Sequence, residues 1–335
     1  GGMKVLIQAA ALLLVGFLTG GNVVGAQASK PALDLTGYVS DDGAITILHN
    51  GEFADPYFAM QALLLAHENG WDVSVPASRF ARWLVARQKP DGTFGRFCRS
   101  TGQAAHTWTA CQPSDADDSL LALWLKLLET MPDVVAQDAR LRQSEVISRA
   151  ALAHLFQPSR GVYMVSPLVL HGLFMDNLEV WSFKVHRTSG ERIAEANRLA
   201  QAIRETFWNP ASQFFRVSTQ LEQQVQKPAF YPDFVAQIFP LLVDFPQVPG
   251  GARLYYQRWM QAHRADWLSQ GKTDYPWGLL AVLAVRHNDT VSARCWLREA
   301  AGLRHSARWA VTDEVAYQIV TGRKLIPAPR HINCL

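Results

Sequence analysis

Asp117-Asp118-Ser119-Leu120-Leu121-Ala122-Leu123-Trp124 sets a pair of acids directly ahead of an unbroken apolar run. The arrangement recurs. Asp55, Asp117, Asp176, Asp233, Asp274 and Asp313 each precede a largely apolar segment, at spacings of 62, 59, 57, 41 and 39 residues. Each interval has room for one helical hairpin. The second helix of an interval is the more amphipathic: 193–207 carries Glu195, Arg198, Gln201, Arg204 and Glu205. A helix apolar on all sides is buried, whereas an amphipathic one meets water on one face. The pattern therefore predicts a mainly α fold, an (α/α)6 toroid with six inner helices whose N-termini share one mouth. Five outer helices are evident, and the sixth place falls to the C-terminal tail or to an N-terminal segment.

The 3.6-residue period predicts helices over 56–69, 78–88, 117–130, 144–156, 177–186, 191–207, 234–243, 253–265, 277–286, 291–303 and 313–321. Gly/Pro loops such as Lys89-Pro90-Asp91-Gly92 separate them. Strand-like alternation is confined to 38–48 and 213–218. Of the 335 residues, 49% are hydrophobic and 18% charged, a composition that excludes a disordered chain. The net charge of +3, with no basic run, gives no support to a nucleic-acid partner.

Met3-Lys4, an apolar run from Val5 to Leu18, and the small-x-small site Ala26-Gln27-Ala28 are the parts of a cleavable secretory leader over 1–28. The apolar run is short of the ~20 residues a spanning helix needs. The expectation is a periplasmic or secreted monomer, without stable membrane insertion after leader removal, in which 29–335 form a single domain. In such a compartment the four cysteines can pair. Cys98 and Cys111 bracket a Gly/Thr/Ser-rich loop, while Cys295 lies in a late helix and Cys334 is penultimate. The expected bridges are Cys98–Cys111 and Cys295–Cys334, with four unpaired thiols as the alternative. No CxxC, HExxH or GxxxxGK[ST] occurs, so no metal site and no cofactor are expected.

Any single Asp at a helix start serves as an N-cap. Six acids at one mouth exceed that need, because Ser, Thr and Asn cap equally well. Asp115, Asp118, Glu179 and Glu314 double several of them. Crowded carboxyls split their pKa values and supply one protonated acid and one ionised base, the chemistry that glycosidic bond cleavage requires. Tyr57, Trp108, Trp181, Tyr231, Tyr275 and Trp277 lie near the same ends, where aromatic planes can stack on sugar rings. A polysaccharide or oligosaccharide is the expected partner. Ordinary core packing is the alternative for each aromatic, and accounts for Trp83, Trp124 and Trp296.

Three segments, in order, resemble motifs of the family-8 glycoside hydrolases, which are secreted, inverting, six-hairpin endoglucanases. Asp55-Pro56-Tyr57-Phe58-Ala59-Met60 is similar to a Glu-Gly pair followed by Tyr-Ala/Gly-Met. Ser114-Asp115-Ala116-Asp117 matches a Ser-Asp-Ala-Asp run, and Tyr231-Pro232-Asp233 with Gln237 is loosely similar to a Tyr-Asp-Ala-Ile-Arg segment. The resemblance implies that Asp117 binds and distorts the sugar at the cleavage point, that Asp233 is the base, and that Asp55 stands near the general acid. Here the sequence departs from the family. Ala54 or Asp55 occupies the place of its Glu, Glu52 is the nearest Glu and hence a possible acid, and the third segment lacks the Arg. Asp118, Asp176, Glu179 and Asp274 join the aromatics as expected substrate-binding residues. Two further readings stand beside a hydrolase. One is a polysaccharide lyase using Tyr231, His171, Asn177 or Arg187; the other is a non-catalytic glycan-binding accessory of an exopolysaccharide system.

Overall fold

The structure, a computed structural model, describes residues 28–100, 107–186, 190–220 and 227–335. Arg187 and the expected leader, apart from Ala28, lie outside the described residues. In chain order the helices are α1 (Pro56–Glu68), α2 (Ser74–Val85), α3 (Asp117–Glu129), α4 (Pro132–Gln137), α5 (Ala139–Ala153), α6 (Phe174–Val185), α7 (Gly190–Phe207), α8 (Val235–Leu242), α9 (Ala252–Ser269), α10 (Leu279–Arg286), α11 (Thr290–Ala300) and α12 (Val311–Gly322). A π-type turn, Phe230–Phe234, leads into α8.

The inner ring is α1, α3, α6, α8, α10 and α12. Helix α1 packs on both α3 and α12, α3 on α6, α6 on α8, and α10 on α12. Helices α8 and α10 face one another across an axial cavity through Phe239, Leu279, Val282 and Leu283. The physical reason is the one expected: α3 buries every residue from Asp118 to Glu129, whereas α5 buries only Leu141, Ser144, Ser148 and Leu152. Close approach of the ring also needs glycine. A Cβ on Gly278 would stand 2.7 Å from Trp296 and 2.8 Å from Ala316. From Pro31 to Leu335 the chain is one compact unit.

The sixth outer place is taken by an irregular N-terminal segment, 31–50. It exchanges two hydrogen bonds between Asp34 and Gln318, and Ile47 O accepts from Val311 N at 2.8 Å, tying it to α12. On its other side Arg79 donates to Asp41 O, and Trp83 Nε1 to Asp42 Oδ2 at 3.2 Å, tying it to α2. The C-terminal tail runs instead along α11, where Ala328 N donates to Arg294 O at 3.0 Å.

The strand expected over 38–48 does not form. Only Val39–Ile45 and Leu48–Ala310 pair, as isolated bridges, because Tyr38, Ala44 and Ile45 turn inward as a packed turn rather than in a ladder. The principal sheet lies elsewhere: β1 (Phe53–Ala54), β2 (Gly95–Arg99) and β3 (Trp108–Pro113), antiparallel in that order. Two short hairpins, β4 (Phe156–Gln157) with β5 (Val162–Tyr163) and β6 (Trp208–Asn209) with β7 (Phe214–Phe215), complete the strands, and β7 is what remains of 213–218. Helix α2 starts at Ser74 rather than 78, since Asp72 Oδ1 accepts from Ser74 N at 2.9 Å. Helix α5 starts at Ala139, capped by Asp138, and the short α4 was not expected. Among the described residues no helix is long and apolar enough to cross a membrane.

Both expected disulfides are present, with Cα separations of 5.7 Å for Cys98–Cys111 and 5.5 Å for Cys295–Cys334. The first joins β2 to β3, and the second anchors the tail to α11. In the chain-entropy picture the longer loop stabilises more: removing Cys295–Cys334 should cost roughly 4 kcal/mol, against roughly 3 kcal/mol for Cys98–Cys111. Denaturant unfolding of the two double Cys→Ser variants checks this, and a larger loss from the shorter loop would contradict it.

Candidate active site

Side chains from all six inner helix starts meet around one mouth. At α1, Asp55 is the N-cap: its Oδ1 accepts from Tyr57 N at 3.0 Å, with Pro56 in the first turn. Burial pushes the Asp55 carboxyl up to about 6, against the pull of that hydrogen bond and of Arg96. Arg96, on β2, pairs with the exposed Asp115 at 3.3 Å. Asp115 in turn is close enough to Asp176 and Tyr231 to raise both.

The centre of the mouth is a carboxyl pair. Asp118, at the start of α3, is fully buried; Asp176, in the first turn of α6, is half-buried. Asp118 Oδ1 accepts from Ser119 N at 2.8 Å, whereas Asp118 Oδ2 and Asp176 Oδ2 are buried and take no hydrogen bond among the described residues. Burial first, and then the Asp176 charge, hold Asp118 well above the usual carboxylate range. Burial raises Asp176 to about 6. Burial thus works against charge on both carboxyls, and more strongly at Asp118 than at Asp176.

Behind the pair lies Glu179, one turn further along α6. Tyr57 Oη donates to Glu179 Oε1 at 3.0 Å. Burial and Asp176 raise Glu179 well above its ordinary value, although the Tyr57 bond and Lys126 oppose them. Glu179 also lines the axial cavity of about 80 Å³, which runs down the toroid between Leu64, Leu123 and Leu283.

The rim is aromatic. Tyr231, 57% exposed, stacks on Trp277 with ring centroids 5.4 Å apart and an interplanar angle of 28°. Trp277 holds φ at +54°, a costly conformation for a bulky residue that is characteristic of functional positions. Its buried Nε1 has no hydrogen-bond partner among the described residues. Tyr275 meets Phe58 of α1 edge-on at 5.9 Å, and its hydroxyl is raised by burial and then by Asp274, Asp313 and Asp55. Asp313 closes the circle. Its two oxygens accept from Gly278 N at 2.8 Å and Ala310 N at 2.9 Å, and burial raises it to about 7.

Several expected residues stand apart from this centre. Asp117 bonds Ser114 Oγ at 2.7 Å; burial raises it, and the charges it feels are Lys89 and Asp91, in the loop before β2. Asp233 Oδ2 accepts from Ala229 N at 2.9 Å and caps its own turn. Asp274 is exposed and bonds Tyr275 N at 2.7 Å, and Glu52 is exposed just before β1. Two aromatics do not line the mouth. Trp108, 5% exposed, packs edge-on against Trp83 at 6.0 Å, and the buried Trp181 packs edge-on against Phe245 at 5.3 Å. Each indole removes more apolar surface from water inside the core than it would in an open cleft. The pairing of Asp118 with Asp176, and of Tyr57 with Glu179, went unforeseen. Lys126 carried a usable signal: it is the one cation within α3, facing the axis, and Asp117 lies about half a turn round from it while Asp118 lies nearer.

No protein-family model matches the chain, and no curated protein matches it. Solved structures do. A reducing-end xylose-releasing exo-oligoxylanase is 14% identical, with a TM-score of 0.52 over 89% of both chains. A mannosylglycerate hydrolase of glycoside hydrolase family 63 from Thermus thermophilus is 12% identical, with a TM-score of 0.51 over 86% of this chain and 98% of that one. An α-amylase from Clostridium perfringens is 8% identical, with a TM-score of 0.54 over 87% of this chain and 95% of that one. The fold is that of the six-hairpin glycosidases. In this six-hairpin toroid the positive ends of six helix dipoles converge where the acids stand, which favours their charged forms. Burial outweighs that help at Asp55, Asp118, Asp176, Glu179 and Asp313, all of which are raised.

Proposed function

We propose that the chain is a glycoside hydrolase acting on a polysaccharide or its oligosaccharides in an oxidising, extracytoplasmic compartment. The observation that carries this reading is the set of buried acids at the inner helix starts, Asp118 and Asp176 each with an oxygen that takes no hydrogen bond among the described residues, beside the Tyr231–Trp277 stack. Two disulfides support export. A sugar ring lies on Tyr231, the exposed member of that stack.

In this mechanism Asp55, raised to about 6, gives its proton to the glycosidic oxygen as the bond to the anomeric carbon breaks. Asp176, in its ionised form, takes a proton from the water that attacks that carbon. Asp176 then releases that proton to solvent and Asp55 regains one, which restores the starting state. The inverting course follows the likeness of the Ser114–Asp117 run to family 8 and requires the two carboxyls to stand ~6.5–9.5 Å apart, with room for that water. Proton NMR of the first-formed anomer tests it, since a retained anomer would mean a covalent intermediate instead.

A lyase would need a tyrosinate or imidazole base with an amide to neutralise a carboxylate. Burial and the nearby carboxylates raise the Tyr231 hydroxyl rather than lower it. Asn177 is buried and engaged with Tyr163 N, Tyr163 O and Leu173 O. Both observations favour the hydrolase. The decisive assay is release of reducing ends from xylans, β-glucans and chitosans, with the Asp176→Asn protein as its control. Tyr231→Ala should raise KM about 10-fold with little change in kcat, as expected for losing one stacking platform of ~1.5 kcal/mol. An unchanged KM would remove Tyr231 from the binding surface.

A further inference from the structure

The irregular segment 31–50 does more than fill the place of an outer helix. A helix satisfies its own backbone and leaves a closed cylinder, whereas this segment opens a groove of about 390 Å³ lined by Tyr38, Asp41, Asp42, Asn50, Gly51 and Arg99. Its floor is rigid. Asp42 is held by Trp83 Nε1 and Ser40 Oγ, and Tyr38 is buried with its hydroxyl 3.3 Å from His305 Nδ1. Arg99 is set over the Trp108 ring at 5.1 Å and donates from Nη2 to Gly51 O at 3.2 Å, which leaves its other N–H groups available. The Asp41 carboxylate and the Asn50 amide are exposed and take no hydrogen bond from the described residues.

The groove lies close to the mouth along the chain. Gly51 is four residues before Asp55, so at most about 14 Å of chain separates the two. Strand β1 runs between them, with Ala54 paired to Phe97 and Phe53 to Cys98. Along the neighbouring β2, Arg96 stands beside the Asp55–Asp115 end and Arg99 at the groove end. A bulge between Arg96 and Phe97 re-aims the side chains between these two positions.

We infer that this groove is a second saccharide-binding site, which holds a unit of the same glycan remote from the bond being cleaved. A carboxylate, a primary amide and a guanidinium offer acceptors and donors side by side, the pattern that neighbouring sugar hydroxyls, each donor and acceptor at once, can satisfy. Remote units held here raise affinity for long chains over short ones. The inference rests on the glycan reading of the mouth.

Its test separates the two. Binding of β-1,4-linked xylo-, gluco- and glucosamine oligosaccharides, from disaccharide to hexasaccharide, is measured by calorimetry on the Asp176→Asn protein, with and without Asp41→Ala plus Asn50→Gly. The second pair spares the fold: the Arg79 bond goes to the Asp41 backbone, and glycine accepts the left-handed φ of Asn50 (+53°). Affinity for at least one series should climb about 10-fold or more from trisaccharide to hexasaccharide, and the groove substitutions should flatten that climb to about twofold or less, the scale of one well-made set of polar contacts. A climb that survives the substitutions, or no climb at all, overturns the groove while leaving the mouth a glycan site. Absence of binding at every length in every series overturns both.

Discussion

Asp176→Asn is expected to cut turnover at least ~100-fold and leave the fold intact, because it removes a positioned proton acceptor and preserves the side-chain shape. Activity should also be confined in pH. Asp55 acts while protonated and Asp176 while ionised, and both stand at about 6. The profile of kcat/KM should therefore peak near pH 6, falling above it as Asp55 loses its proton and below it as Asp176 gains one. The acid-side limb belongs to the Asp118–Asp176 pair and not to either group alone. Asp55→Asn should remove the alkaline limb along with most of the activity. An Asp176→Asn protein with wild-type turnover would move the base elsewhere, first to Asp233. Wild-type activity that rises steadily into the alkaline range would exclude Asp55 as the acid.

Asp118→Asn should stabilise the protein as it disables it. Asp118, Glu179 and Asp313 all bind their protons more tightly in the folded chain than in the unfolded one. The sign follows by linkage: their favourable contribution is complete below the unfolded carboxyl values of about 4 and is lost as pH rises through the higher folded values. The folded protein should accordingly melt at a lower temperature at about pH 8 than at about pH 5. Asn at 118 has no proton to lose, keeps an acceptor for Ser119 N, and brings an amide donor in place of a carboxyl that burial and the Asp176 charge disfavour as an anion. Its gain at about pH 8 should be roughly 1–2 kcal/mol, the scale seen when a functional strain is relieved, and should shrink towards zero at about pH 5. Calorimetric melting at both pH values decides the matter. A melting point lowered equally at both would mean that Asp118 stabilises the fold as a charged group.

Legibility differed sharply between the fold and the site. Apolar runs after Asp117 and before Arg286, alternating with the mixed surfaces of 144–156 and 191–207, were sufficient for the inner and outer rings, since burial is a property of composition along one helix. Cysteine placement was sufficient for both bridges. The phase of the inner helices was another matter. The run Leu120–Leu125 of helix α3 is apolar on every side, so only Lys126 hints at which way Asp117 and Asp118 face, and the motif-like Ser114–Asp117 run drew attention to the acid that bonds Ser114. The strand of 38–48 failed for a related reason: alternating burial arises as readily from a turn pressed on α12 as from a ladder.

By itself, then, the sequence determined that hydrophobic helices would close into a ring with acids and aromatics at their starts, because hydrophobic period and capping are local. Which carboxyls are buried and feel one another was decided only by tertiary structure. That pairing depends on the rotation of α3 against α6, which brings Asp118 beside Asp176, and on the depth at which water is excluded from both. Neither quantity is carried by any single helix.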